Sequence, residues 1–584
     1  MKMSFPKTDV LHKSFLFFIS LPLFLNTTGQ FSPVKNYPKG YFIYPIDAKI
    51  GLAANFGELR PNHYHMGLDC RTNQVQNRPV MAAADGYIAH VRIDATGFGR
   101  AIYINHPNGL TTLYGHLNGF YPVLEKYVKE QQYKLESWQV FLDIPPGLFP
   151  VTRGQFIAYS GNTGGSEGPH CHFEIRDTKT DKVLNPLLFG FPIADNVPPA
   201  ILRLAMYDRC ISTYSQSPKI FSVKKVQGRY TTTQPVIAVN TDKVSFGISA
   251  NDKINGASNP VGIYEAVMYL DEKAVAGFQI DSITYDETRY VNAHIDYKTR
   301  AAGGPFIEHL SRLPGYPQGI HRDFSGDGVI ELTDDSVHTV KVIVKDSYGN
   351  ASILEFAIKK GIIDETRLLQ DSASFYNRKE FHPGFVNIME SEGLQLILGQ
   401  RDLYDSFVFS YAKRPGVSSF SYSDSYLVAS GLVPVQGYFT VRLQAIKPVP
   451  PALNDRMLIR RAWGSKTDVA KATGEDGWFG AKFRLFGNFE LIADTIPPVI
   501  YGGCKDYANL SKSSRIVIIP RDNNDEIKNF KASLDGKWLR FTNDKGRSFI
   551  YNFDERCERG NHELTIEVSD EAGNTTAKTY HFTR

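Results

Sequence analysis

At 584 residues the chain is too long for a single hydrophobic core, so several domains are required. Its 42% hydrophobic, 12% aromatic and 22% charged residues exclude a long disordered chain. A net charge of +4 over this length is too small to indicate nucleic-acid binding, although it would not hinder approach to an anionic cell-wall polymer.

The amino terminus reads as an export signal. Lys2, Lys7, His12 and Lys13 precede an apolar run at 14–25, and small residues follow at 27–29. The run contains Pro22 and falls short of the roughly 20 residues a membrane-spanning helix needs. A signal peptide at 1–29 is therefore expected, leaving no transmembrane segment in a mature protein that is periplasmic, envelope-associated or secreted. The chain has five cysteines, Cys70, Cys171, Cys210, Cys504 and Cys557, so at least one thiol stays unpaired. Cys504 with Cys557 is the best-placed pair.

Residues 30–194 consist of short strand patterns joined by Gly-rich turns. The segments 101–105 and 110–114 flank His106-Pro107-Asn108-Gly109, which predicts a hairpin by Asn-Gly turn chemistry. Leu124, Val128 and Leu135 share one face if 123–135 is helical. Further on, Ile-Ala-Asp-Asn-Val-Pro-Pro-Ala-Ile at 193–201 recurs as Ile-Ala-Asp-Thr-Ile-Pro-Pro-Val-Ile at 492–500. The alternating stretch 338–350 is echoed at 562–574, and both copies end in Asp-x-x-Gly-Asn. These echoes bracket two copies of one domain type, 195–360 with a long insertion and 493–584. Between them, 361–492 carries short β runs such as 406–411 and 437–443. The pattern resembles bacterial immunoglobulin-like sandwiches, giving an all-β, multidomain chain whose last three domains are expected to be spacers or wall-binding modules.

Three motifs in the first domain carry chemistry: His65-Met66-Gly67-Leu68-Asp69, Tyr114-Gly115-His116-Leu117 and His170-Cys171-His172-Phe173-Glu174. On a strand, residues two apart share a face, so His170 and His172 project together while Cys171 points away. Catalytic zinc typically takes three nitrogen or oxygen ligands and keeps one position open, a count that two histidines and one aspartate satisfy. The order of the motifs resembles the lysostaphin-type, LytM-like zinc endopeptidases. Phe56-Gly57-Glu58-Leu59-Arg60, Pro79-Val80-Met81-Ala82 and the Gly-rich stretch 154–164 extend that resemblance over about residues 40–190.

The resemblance implies a β-sheet peptidase domain that binds one Zn2+ through His65, Asp69 and His172. It also implies catalytic roles for His116 and His170 and cleavage of peptide cross-links in peptidoglycan. One of the two catalytic imidazoles would move the proton from water to the leaving amine and the other would stabilise the oxyanion; the sequence leaves their order open. His63 is read as a flanking structural residue, Arg60 and Tyr64 as groove-lining candidates, and Asn162 and Thr163 as turn formers. Two other classes stay open: a catalytically silent wall-binding scaffold or hydrolase activator, and a secreted zinc peptidase acting on protein.

The chain departs from the family pattern in a longer connection between Leu117 and Val151, a candidate lid, and in Cys171 inside the histidine pair. Cys70 and Cys171 are read as buried free thiols, with a disulfide between them as the alternative. The segment from Asp323 to Asp334 has the oxygen-donor spacing of a calcium loop but runs straight into a strand, so Ca2+ there is weighed against a plain hairpin turn.

Overall fold

The computed structural model describes residue 31 and residues 36–362, 379–416, 419–524 and 527–584; the expected signal peptide lies outside them. Strands account for 49% and helices for 7%, the all-β balance read from the sequence.

The first region is organised by a ten-stranded sheet. Its central path runs Leu52–Ala54, Leu68–Arg71, His170–Asp177, Leu110–Gly115, Arg100–Asn105, Gly86–Ile93 and Val140–Asp143, each neighbour antiparallel. The expected Asn-Gly hairpin joins Arg100–Asn105 to Leu110–Gly115, with Gly109 at φ 78°. A smaller sheet pairs Pro79–Met81, Phe156–Ser160 and Leu117–Phe120.

Strand alternation sorts the chemistry. In His170–Asp177, Cys171, Phe173 and Ile175 enter the hydrophobic core, leaving His170, His172, Glu174 and Arg176 for the other face. Cys171 lies directly opposite Cys70, and both thiols are buried and free.

The connection after Leu117 contains one helix, α1 (Pro122–Lys134), with a proline in its first turn. Leu124 and Val128 are buried in the core as expected, but Leu135 is the helix C-cap and is exposed. Gln132 occupies the buried face instead and donates to the Trp138 carbonyl at 2.5 Å.

Beyond residue 195 three further cores follow. The first belongs to an 11-stranded sheet and includes Phe246, Val340 and Ile358. Phe56, Tyr64 and Met66, from the segment around the first metal motif, pack into that same core. The strand Ser282–Ile283 pairs with Val183–Leu184, so the first sheet runs across the expected boundary at 195. Residues 379–494 form two five-stranded sheets around Phe439, Phe489 and Leu491, and the last region packs a four-stranded against a five-stranded sheet around Ile518, Val568 and Tyr580.

The two echoed segments fold alike. Val337–Lys345 turns into Ala351–Lys360, and Asn561–Asp570 turns into Thr575–Thr583. Each turn needs a residue at positive φ, which Gly349 (90°) and Gly573 (80°) supply. The expected Cys504–Cys557 disulfide is not formed, and all five cysteines are free. Cys557 is buried in the last core beside Arg584, whereas Cys504 is only partly buried and sits near Asp506 and Lys578.

Candidate metal centre

His65 follows the short strand His63–Tyr64, Asp69 lies in Leu68–Arg71, and His172 stands directly opposite Asp69 across the ladder. Sheet register thus joins residues far apart in sequence. One donor atom from each of the three lies within 4.8 Å of the others, and all three residues are buried. Asp69 Oδ1 is 2.9 Å from His65 Nε2 and 3.0 Å from His172 Nδ1, and those two nitrogens are 3.1 Å apart. Gly67 permits the approach: a Cβ there would stand 2.5 Å from the Phe173 carbonyl oxygen and 2.9 Å from the His172 ring.

Both imidazoles have their outer nitrogen occupied. His65 Nδ1 donates to the Asn55 carbonyl at 2.7 Å, and His172 Nε2 donates to Glu174 Oε1 at 2.9 Å. With a metal in place, the inward-facing nitrogens of His65 and His172 would be the lone-pair donors, the arrangement that orients metal-bound histidines. Two imidazoles and a carboxylate, all buried and so anchored, fit a zinc ion.

The electrostatics follow from this packing. Burial works against the charge on Asp69, but His65, His170 and His172 outweigh it and hold its carboxyl well below the usual range. Burial likewise opposes the His172 cation, yet Asp69 and Glu174 keep its pKa up at about 9. Glu174, completely buried, is held down at about 2 against its own desolvation by Arg176, His172 and Tyr285.

His116 and His170 complete the cluster, with ring centres 4.7 Å apart. His116 occupies the left-handed region at φ 60°, a strained position for a non-glycine residue, between the strands Leu110–Gly115 and Leu117–Phe120. Its Nδ1 donates to the Thr163 carbonyl at 2.8 Å, which leaves Nε2 as the lone-pair nitrogen. Burial, then the neighbouring His170 and His172, push its pKa down to about 3, so it is neutral at physiological pH. His170 Nδ1 donates to the Gly168 carbonyl at 2.8 Å, and its Nε2 lies 3.3 Å from Asp69 Oδ1. A groove of about 800 Å³ opens on the cluster, with Arg60, His63, Ser166 and Tyr285 among its lining.

The five sequence-derived residues therefore converge; Arg60 lines the groove, whereas the Tyr64 side chain is buried and packs into the next core. Sequence reasoning gave no role to Glu174, although the motif contained it at the i+2 position that shares a face with His172. It read Thr163 only as a turn former and did not single out Tyr285, whose hydroxyl donates to Glu174 from the region after residue 195. Asp323 pairs with Arg312, Asp334 engages Ser336 and His338, and no group of three convergent metal donors among the described residues includes either aspartate.

Residues 63–133 match the model of peptidase family M23, and residues 379–494 match that of a Zu5-like domain. Over 163 residues the chain is 31% identical to an uncharacterized metalloprotease of Haemophilus influenzae, covering 26% of this chain and 28% of that one. Over 155 residues it is 30% identical to the DD-carboxypeptidase/endopeptidase Mpg of Neisseria meningitidis serogroup B, covering 26% of each. The catalytic domain of lysostaphin from Staphylococcus simulans aligns at 22% identity and a TM-score of 0.18, over 24% of this chain and 91% of that one. The chain thus spans little more than a quarter of the length of these two curated relatives.

Proposed function

We propose, from the premise that the chain carries a peptidase family M23 domain of the LytM type, that it is a zinc-dependent endopeptidase hydrolysing peptide cross-links of peptidoglycan in the cell envelope. The observation that carries this reading is the convergence of His65, Asp69 and His172, with two further histidines on the open side of the cluster. The relative named as a DD-carboxypeptidase/endopeptidase supports the substrate class. No helix among the described residues is long and apolar enough to cross a membrane.

His65 Nε2, His172 Nδ1 and the Asp69 carboxylate would hold the metal. A zinc ion bound there supplies Lewis acidity and lowers the pKa of water from 15.7 toward ~7. His116, locked by Thr163 with Nε2 free and neutral, accepts the water proton and returns it to the leaving amine. His170, held by Gly168 at Nδ1 and beside Asp69 at Nε2, would serve the developing oxyanion as the imidazolium, in which both ring nitrogens carry a proton. Arg60 and Tyr285 border the groove in which the peptide stem lies.

Digestion of purified peptidoglycan, with mass spectrometry of the released muropeptides, tests the reading. The parent chain should release cross-link cleavage products. His172→Ala should lose both zinc and products, whereas His116→Ala should keep zinc and lose activity about 10²–10⁴-fold. A zinc-loaded parent that releases nothing would overturn the enzyme reading in favour of a silent scaffold, and full zinc occupancy in His172→Ala would overturn the ligand set.

A further inference from the structure

Two more groups of convergent metal donors exist among the described residues, Asp195 with Asp252 and Asp346, and Asp494 with Asp522 and Asp570. They are built on the same repeated linker and turn. Asp195 and Asp494 occupy the same place in the repeated linker Ile-Ala-Asp-x-x-Pro-Pro, and Asp346 and Asp570 open the repeated Asp-x-x-Gly-Asn turn. The surrounding bonds repeat as well. Asn350 and Asn574 donate to the backbone carbonyls of Asp195 and Asp494, at 3.3 and 3.0 Å. Ser352 and Thr576 hold the carbonyls of Pro199 and Pro498, at 2.6 and 2.5 Å.

The repetition accounts for the turn and the linker but not for the third carboxylate. Asp252 follows the strand Lys243–Asn251, is 3% exposed, and its Oδ1 has no hydrogen-bond partner. Asp522, which follows the strand Arg515–Arg521, is only half-buried, but its Oδ1 is enclosed without a hydrogen-bond partner, as is Asp195 Oδ2; in this second copy Asp494 also accepts from the side-chain amides of Asn523 and Asn524. An unpaired carboxylate buried beside two others is costly unless a cation joins them. Burial pushes the Asp252 pKa up to about 7, opposed by a hydrogen bond from the Lys253 backbone and reinforced, more weakly, by the neighbouring Asp195 and Asp346. In the second copy Asp522 is raised by burial and by Asp494 and Asp570, against a hydrogen bond from the Asn524 backbone.

We propose that each aspartate triad is a binding site for a hard divalent cation of the calcium type, one at each linker. All donors are carboxylate oxygens, which suits calcium rather than zinc. Within each triad one oxygen from every residue lies within 4.8 Å of the others, compatible with a shared ion at the usual Ca–O distance of about 2.3–2.6 Å. Each ion would tie the linker aspartate to a strand end and to a hairpin turn of the following sheets, fixing how that linker enters them.

The test is calcium titration by calorimetry on the full chain, stripped of metal and reloaded with zinc. Two calcium ions per chain are expected in the parent, one in Asp252→Asn and none in Asp252→Asn/Asp522→Asn. Calcium should raise the unfolding temperature of the parent and leave the double variant unmoved. Without calcium, the double variant should unfold at or above the parent temperature, because neutral amides remove the repulsion; this outcome also shows that it folds. Absence of uptake at millimolar calcium, or a stoichiometry unchanged by the substitutions, overturns the proposal. His172→Ala should keep both calcium ions, so failure here is distinguishable from failure of the zinc reading.

Discussion

The two echoed regions, 195–360 and 493–584, share a linker, an aspartate triad and a final hairpin, yet each sends a different side chain toward the metal cluster. From the first, Tyr285 donates to Glu174, the carboxylate that holds His172. From the second, Lys545 reaches the rim, bonding the Ser166 carbonyl and Asn162 Oδ1. The last region also grips α1, through Lys129 with Asp554 and Glu555 and through Tyr133 against Trp538. The shared parts are joints, where a sheet is attached; the divergent parts are loops, where contacts with the peptidase domain are made. The first copy's Tyr285 joins the hydrogen bonds behind His172, whereas the second copy's Lys545 bonds the rim and its Arg540 reaches the buried Gln132 of α1.

If that contrast is right, disturbing the first contact should cost far more than disturbing the second. The largest effect should come from the group on which the first contact converges. Glu174→Ala leaves the outer nitrogen of His172 buried without its partner and Arg176 with Asp181 alone, and loss of one member of a buried pair costs about 3–5 kcal/mol. Zinc affinity should fall about 10–100-fold, measured by competition with a chromophoric chelator. Unchanged affinity would remove Glu174 from the metal site. Tyr285→Phe removes only the hydroxyl and should cost about 1–2 kcal/mol in denaturant unfolding. Zinc affinity should weaken detectably but less than in Glu174→Ala. A Tyr285→Phe chain identical to the parent in both measurements would place the first region on the same footing as the last.

Much of the peptidase domain was legible because its signals are local or periodic. The hairpin at 108–109 follows from turn chemistry, and His170 and His172 share a face because strand side chains alternate with period two. The helix α1 was visible from Leu124 and Val128, but its end was not: Leu135 fits the helical spacing and yet caps the helix, since spacing carries no information about which turn the core still covers. The position of His116 at positive φ is set by strands on either side of it and has no local signature. Tyr285 and Lys545 were invisible for a different reason. Their partners are separated from them by 111 residues for Glu174 and by 383 and 379 for Asn162 and Ser166, and nothing in the sequence around a lone tyrosine or lysine marks such a contact. Both echoes were seen as repeats, but Asp252 and Asp522 lie outside the repeated stretches, so the aspartate triads emerge only once the sheets bring a third carboxylate to each joint.

The smallest effect belongs to Lys545. Its ammonium bonds a backbone carbonyl and a side-chain amide rather than a carboxylate, so there is no buried charge left behind when it is removed. Lys545→Ala should therefore change global stability by less than about 1 kcal/mol, in the range of exposed charged contacts, and should leave zinc affinity at the parent value. What it should alter is local: amide hydrogen exchange in the segment 162–168, which the lysine ties to the last region, should quicken, while exchange in His170–Asp177 stays as slow as in the parent. Faster exchange in that strand, or weaker zinc binding, would show that the last region supports the metal cluster as the first does, and the distinction between joint and loop would have to be redrawn.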